Sequence, residues 1–285
     1  CQLIQHEALD RASQGFMDTL TEKLGERVNI NWQNGSGDQT SCAVIASQFV
    51  SDEVDLILAN ATPALAAVAA ATSEIPVLGT SITAYPAVWE MDDWAGRTTQ
   101  LNVSGTSDLA PLDGQAEMLN SFFPEAKNVG ILYCSAEANS KFQVEAITPY
   151  LEGYGYKVTA YSFSDSNDVA AVTTTAVGEN DVLYIPTDNT AASCAETINN
   201  IALPAGVPII AGESGLCKGC GVATLSIDYY VLGCTTGEMA YEILVNGADP
   251  AAMEIQYAPE FTKMYNPEIC EALGIAVPDD YVAID

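Results

Sequence analysis

Short apolar runs alternate with amphipathic stretches along this chain, and each run ends in a polar turn. Val182 to Ile185 is such a run and reads as a buried parallel strand. Pro186 stops its pairing because it has no N–H for the ladder. Thr187, Asp188, Asn189 and Thr190 crowd the turn, and Ala191 onward reads as a helix capped by Asn189 or Thr190. Strand, polar turn and helix start is the place where open α/β sheets hold small ligands, and the helix end there favours an anion.

The same construction recurs. Leu3-Ile4 predicts a strand with exit Gln5, His6 and Glu7, then a helix from Ala8 to Leu24 with Ala12, Phe16, Leu20 and Leu24 on one face. Val28 to Gln33 alternates as a strand, Asn34 to Asp38 is its exit and Cys42 to Val50 a helix. Asp55 to Ala59 leads through Asn60 and Ala61 to an alanine-rich helix, with Thr62 as cap and Pro63 first in the helix. Pro76 to Leu78 exits through Gly79 to Thr83, residues 84–100 have no clean period, and Leu101 to Val103 is followed by a turn from Ser104 to Asp108.

A second set follows. Helices are predicted at Pro111 to Phe123, Ser140 to Gly153, Asp168 to Val177 and Tyr229 to Val245. Strands fall at Val129 to Tyr133, Lys157 to Phe163, Val207 to Ala211 and Ala223 to Ile227, with exits at Cys134 to Asn139, Ser164 to Asn167, Gly212 to Gly215 and Asp228. The tail offers a strand at Glu254 to Tyr257 and a helix at Pro267 to Leu273. Two blocks of alternating strand and helix predict an α/β protein with parallel sheets and right-handed crossovers.

The chain has 285 residues, enough for two cored lobes, and a net charge of -29 from 38 acidic and 9 basic residues. Without Lys/Arg clusters, nucleic acid is excluded as a partner. No run approaches the roughly 20 apolar residues of a membrane span. Cys1 reads as a core residue of a first strand whose leading residues have been trimmed, so that any targeting segment precedes the chain. Of eight cysteines only Cys217-Lys-Gly-Cys220 is a tight pair, set among glycines in what reads as a loop. A local disulfide or two free thiols fit it, and metal does not, because Cys234 and Cys270 supply no second pair.

Enzyme motifs fail one by one. Gly212-Glu-Ser-Gly-Leu216 lacks the closing glycine of a nucleophile elbow, and His6 is the only histidine. Gly35-Ser-Gly37 reaches Thr40 where a dinucleotide loop needs glycine. The exits are rich in Thr, Ser and Asn, which bind by hydrogen bonds and are poor catalysts, so no enzyme and no cofactor is expected.

The order Ile4-Gln-His-Glu-Ala-Leu-Asp10, Ala59-Asn-Ala-Thr-Pro-Ala64, Gly105-Thr-Ser-Asp108, Val129-Gly-Ile-Leu-Tyr133, Asn139-Ser140, Tyr184-Ile-Pro-Thr-Asp-Asn-Thr190, Ile210-Ala-Gly-Glu213 and Ile227-Asp-Tyr-Tyr230 resembles a family of ABC-transporter substrate-binding proteins. These are the tryptophan/aromatic amino-acid-binding lipoproteins of bacteria. The resemblance implies the type I periplasmic-binding-protein fold: two doubly wound parallel-sheet lobes joined by three crossovers, closing on one small solute. The lobes are expected at residues 1–106 plus 230–251 and 107–229 plus 252–285. It also implies a monomer outside the cytoplasm, held by a lipid anchor upstream of this chain and serving a permease with a cytoplasmic ATPase. Carried onto this chain, the family's binding positions are His6, Glu7, Thr62, Ser81, Thr83, Ser107, Asp108, Asn139, Ser140, Asp188, Asn189, Thr190, Glu213 and Asp228. One departure stands out: the family often has Thr-Asp-Pro after the fourth strand, and here it is Thr83-Ala84-Tyr85-Pro86.

For an amino-acid ligand, the helix start at Thr62 and the hydroxyls of Ser81 and Thr83 would take the carboxylate. Asp188, then Asp228, then Glu213 are the expected ammonium partners, and each also suits a helix cap. Tyr85, Trp89 and Tyr133 are candidates for an aromatic wall, while Tyr133 better suits plain strand packing and Trp89 and Trp94 also suit a lobe edge. A sugar, a nucleoside or a sensory role remains the alternative reading of the same clamp. A transcription regulator would need a helix-turn-helix and a basic surface, which are absent.

Overall fold

The computed structural model describes residues 1–89, 98–258 and 260–284. In chain order the elements are α1 (Glu7–Leu24), α2 (Gln39–Ser51), β1 (Ile57–Asn60), α3 (Thr62–Ala71), β2 (Val77–Ile82), α4 (Tyr85–Val88) and β3 (Val103–Ser107). Then come α5 (Leu112–Phe122), β4 (Asn128–Cys134), α6 (Ala138–Gly153), β5 (Lys157–Phe163), α7 (Val169–Glu179), β6 (Val182–Ile185), α8 (Asn189–Ser193) and α9 (Ala195–Ala205). β7 (Ile209–Ala211), α10 (Ser214–Cys220), β8 (Ala223–Ser226) and α11 (Tyr229–Asn246) follow, and the tail holds β9 (Gln256–Tyr257), β10 (Thr262–Tyr265), α12 (Pro267–Leu273) and β11 (Val282–Ala283).

The chain forms two compact units, Cys1–Leu109 with Asp228–Pro259, and Ala110–Ile227 with Glu260–Asp285. The strip 252–259 therefore falls in the first unit, because β9 pairs with β3 there. Residues 107–109 and 228–229 also fall in the first unit rather than the second. The first unit's sheet runs β1-β2-β3-β9, all parallel. The second runs β11-β10-β8-β7-β6-β4-β5, parallel except where β10 meets β8 antiparallel.

In the first unit, Leu65, Val68, Val77 and Ile82 pack with Phe49 and Leu9 on one side of the sheet. Phe16, Leu20, Met239 and Ile243, from α1 and α11, pack against Leu78. Those two helices touch closely. A side-chain carbon at Gly233 would lie 2.0 Å from the Ala12 carbonyl oxygen, so only glycine lets the helices meet there. Buried hydroxyls of Thr106 and Thr236 lie 2.9 Å apart, and Thr236 reaches Thr80 at 3.2 Å, which ties α11 to the sheet. In the second unit, Leu132, Leu183, Ile185 and Ile209 form a core with Ile198 and Leu216.

Several expectations are corrected. Leu3-Ile4 and Val28 to Gln33 are not regular strands; only bridges from Gln2 to Asn34 and to Asn60 form, and Ile30 and Trp32 stay exposed with no face to bury against. Ser104 to Asp108 is not a turn, since β3 runs through Val103–Ser107 fully buried. Its polar side chains are tolerated because they find partners, Ser104 donating to the Met253 carbonyl at 3.0 Å. Cys217 to Cys220 is not a loop but the end of α10, with both cysteines buried as free thiols. Burial pushes both thiols up, so they stay protonated.

Gly105 sits at φ 138°, and a side-chain carbon there would come 2.0 Å from the Gly79 carbonyl oxygen. Gly105→Ala therefore combines backbone strain with a clash inside the sheet and should cost about 3 kcal/mol or more, read as a lower urea midpoint. Gly153→Ala, at a helical glycine with nothing within 4 Å, should leave the midpoint unchanged or raise it slightly.

Candidate functional site

In the first unit the candidate residues gather at the carboxyl edge of three adjacent strands. Asn60 pairs with Thr80 and Ile82 with Ser107, so Thr62, Ser81 and Asp108 stand one or two residues past neighbouring rungs. The backbone at two of these exits is strained. Ala61 has φ 89° and ψ 152°, a region that belongs to glycine, and Ser81 has φ 56°. Such conformations persist where surrounding structure holds them, here by the Ala61 N–H donating to the Thr80 carbonyl at 3.1 Å.

The side chains at this edge are buried, and three leave a polar atom without a partner among the described residues: Thr62 Oγ1, Ser81 Oγ and Asp108 Oδ1. Thr62 opens α3 rather than capping it. Ala61 is the cap position and offers no side-chain bond, so the positive end of α3 carries no anionic cap. Ser107 is engaged, donating to the Thr83 carbonyl at 3.3 Å. Asp108 Oδ2 accepts from the Tyr229 hydroxyl at 3.0 Å. Burial pushes the Asp108 carboxyl up to about 6, while Tyr229 and the nearby Thr83 hydroxyl pull it back. No hydrogen bond closes on Oδ1 despite the nearness of Thr83. His6 is the half-buried cap position of α1, and Glu7 is exposed in its first turn.

The second unit builds a different arrangement, around Asp188 and Glu137. Asp188 is buried and caps α8. It accepts from Ala191 N at 2.8 Å, Cys134 N at 2.6 Å and the Ser140 hydroxyl at 2.7 Å. Burial first, then the charge of Glu137, push its carboxyl up, and these donors oppose the shift. Glu137, also buried, accepts from the N–H and hydroxyl of Thr190 at 2.9 and 2.8 Å and from both nitrogens of Asn189. Asn139 donates to Glu137 and to the Thr187 carbonyl, both at 3.1 Å, which fixes its amide and leaves its Oδ1 buried without a partner among the described residues.

The three expected ammonium partners are thus helix caps. Asp188 has its oxygens committed. Glu213, buried, takes Gly215 N and Leu216 N at the start of α10. Asp228, exposed, takes Tyr230 N and Val231 N at the start of α11. Each side chain follows the strand exit it was assigned to, and the helix behind it takes both oxygens of Glu213 and one oxygen, Oδ1, of the solvent-exposed Asp228. Tyr85 is no open aromatic wall either. It is buried, and its hydroxyl lies 3.2 Å from the Gly79 and Thr106 carbonyl oxygens, inside the sheet's own unit. Trp89 packs half-buried against the first unit's core, Tyr133 is half-buried, and Trp94 lies outside the described residues.

Glu137 and Tyr229 were not legible as site residues. Glu137 reads as an ordinary acid before a helix, and its partners come from 52 and 53 positions on. Tyr229 carried a weak signal, standing in the Ile227-Asp-Tyr-Tyr230 motif. Among the described residues no group of three or more His, Cys, Asp or Glu is placed to hold a metal ion.

The model of the family of ABC transporter substrate binding proteins matches residues 1–284. A tyrosine-binding protein of Clostridioides difficile (strain R20291) is 37% identical over 249 residues, covering 85% of this chain and 71% of the relative. The crystal structure of an ABC domain from Streptococcus pneumoniae in complex with L-Trp is 32% identical, with a TM-score of 0.92 over 98% of this chain and 94% of that one. The ligand-free, open structure of a substrate binding protein with adhesive properties from Clostridium difficile is 37% identical, with a TM-score of 0.73 over 100% of this chain and 97% of that one. The parallel α/β units with their strand-exit sites have the type I periplasmic-binding-protein fold, and the chain belongs to the family of ABC transporter substrate binding proteins.

Proposed function

We propose that this protein captures an aromatic amino acid, tyrosine or tryptophan, and hands it to an ABC importer. The solute's carboxylate is held by the start of α3 with the hydroxyls of Thr62 and Ser81, and its ammonium by Asp108. The observation that carries this reading is the buried Asp108 Oδ1, without a partner among the described residues, on the same sheet edge as two buried hydroxyls in the same condition. An uncompensated buried carboxylate is costly, and a cation is the group that relieves it. The hydroxyls and the helix end are chemically suited to the opposite charge. An amino acid carries both charges on one carbon, so it matches the pair as a sugar or nucleoside does not. The choice of an aromatic side chain is supported by the tyrosine-binding relative and the L-Trp complex. The same reading places the protein outside the cytoplasm as a monomer tethered by a lipid, beside a permease and its ATPase, and assigns it no catalysis.

Thermal melting against the amino acids, nucleosides and simple sugars, after unfolding and refolding, tests the ligand class. A rise with tyrosine or tryptophan that grows with concentration is expected. A rise with a sugar or nucleoside alone would overturn the amino-acid reading. Asp108→Asn should weaken binding by about 2 kcal/mol or more, roughly thirtyfold, by calorimetry. Unchanged affinity would remove Asp108 from the ammonium role.

Affinity should also depend on pH with a defined sign. The carboxylate form of Asp108 binds the ammonium, and burial raises its pKa to about 6. Protonation then competes with the ligand as pH falls through that value, by up to about tenfold per pH unit below it. Affinity should be flat above it. A titration flat down to pH 5 would contradict the assignment.

A further inference from the structure

Asp108 and Tyr229 stand at two of the places where the chain passes between its units. The first unit ends its first segment at Leu109 and resumes at Asp228, so both residues belong to that unit and lie next to two of its junctions. The bond from the Tyr229 hydroxyl to Asp108 Oδ2, 3.0 Å long, spans 121 residues of sequence. Tyr229 is the first residue of the 18-residue helix α11. That helix end has its own donors occupied, because Asp228 takes the N–H groups of Tyr230 and Val231 at 2.9 and 3.2 Å. The phenol is therefore what α11 extends towards Asp108.

We propose that Tyr229 is a positioning residue for the ligand: its hydroxyl holds one oxygen of Asp108 and so presents the other to the ligand's ammonium. This rests on the reading of Asp108 as the ammonium partner.

The contrast within the molecule supports it. Asp188, equally buried, accepts three hydrogen bonds and has donors on both oxygens. A buried carboxylate held by no donor would rotate freely about its last bond and would favour its neutral form. Asp108 lies between these limits, with one oxygen fixed and one open. Packing alone does not ask for tyrosine here. The residue is 4% exposed, and a phenylalanine ring would fill the same space. The titratable groups acting on Asp108 are Tyr229 on α11 and Tyr85 on α4, whose hydroxyl burial and then the Asp108 charge push well up. Tyr85 therefore stays a neutral phenol near neutral pH, and the Tyr229 hydroxyl is the strongest of the groups drawing the Asp108 carboxyl down.

The test is calorimetry with the aromatic amino acid that the unaltered protein binds, from about pH 5 to 8.5, on the full chain, on Tyr229→Phe and on Asp108→Asn. Ligand-free melting of each variant checks its fold. In Tyr229→Phe the acid limb of the affinity profile should move up by about one pH unit, with about a fivefold loss near pH 6 and little at pH 8.5. An unmoved limb overturns the proposal, whether affinity is unchanged or falls equally at every pH, since a packing defect would do the latter. Asp108→Asn should bind weakly with no acid limb. If it binds as the unaltered protein does, the reading of Asp108 itself fails, and that result is separate from whatever Tyr229→Phe does.

Discussion

One half-satisfied carboxylate sets the terms for the first unit. Asp108 is buried at the end of β3, with one oxygen held by Tyr229 and the other without a partner among the described residues. Desolvating such a group costs several kcal/mol unless opposite charge or donors compensate. The fold keeps it in place through rigid surroundings. β3 is buried along its whole length, Gly105 allows it to lie against Gly79, and Thr106 anchors it to α11. The same edge carries the strained backbone of Ala61 and Ser81. Strain and an unpartnered polar atom are each unfavourable for folding, and their coincidence on three neighbouring strands sets this edge apart from the molecule's ordinary turns.

The second unit resolves its acids in the opposite way. Glu137 and Asp188 both lie buried, and together they draw donors from the start of α8, from α6 and from the end of β4. The result is a closed network, which rigidifies its surroundings because every donor is matched. Only Asn139 Oδ1 stays open in it, an acceptor held in a fixed orientation by the bonds its nitrogen makes. A net charge of -29 does not act uniformly on these sites. Exposed carboxylates are screened by solvent and salt, whereas these buried ones respond to burial and to the donors that touch them.

Much of this arrangement was legible before any coordinates, because strand exits are marked by composition. Short apolar runs followed by Thr, Asn and Asp placed Thr62, Asn139 and Asp188 at the strand exits where the structure puts them, while Ser81, expected in an exit after Leu78, lies inside β2. The periodicity failed where tertiary partners override local preference. Ser104 to Ser107 looks like a turn by residue type, and becomes a central strand because its hydroxyls meet the Met253 carbonyl and the Thr236 hydroxyl, 149 and 130 residues away. Cys217 to Cys220 looks like a loop by its glycines, and becomes a helix because Glu213 caps it. Val28 to Gln33 alternates like a strand, and remains irregular because neither face is buried.

Assigning roles to the acids was the harder problem, and its difficulty has a physical origin. An aspartate after a strand and before a helix occupies the position from which a side chain can cap the helix and the position from which it can meet a ligand. Residue type and spacing are identical in the two cases, so Asp188, Asp228 and Glu213 were as plausible for an ammonium as Asp108. Asp228 is exposed and Glu213 gives both oxygens to the helix start beside it; what separates the buried Asp188 from Asp108 is the number of donors already on its oxygens, a quantity that depends on the chain returning from far away. Asp188 receives Ser140 and Cys134 from 48 and 54 residues back. Asp108 has no helix starting behind it to cap: Pro111 intervenes before α5, and that cap position makes no side-chain bond. The hydrogen bond it does accept comes from the phenol of Tyr229, and a single hydroxyl satisfies only one of two oxygens. The acid left without a helix of its own is the one on which the proposed ammonium role rests.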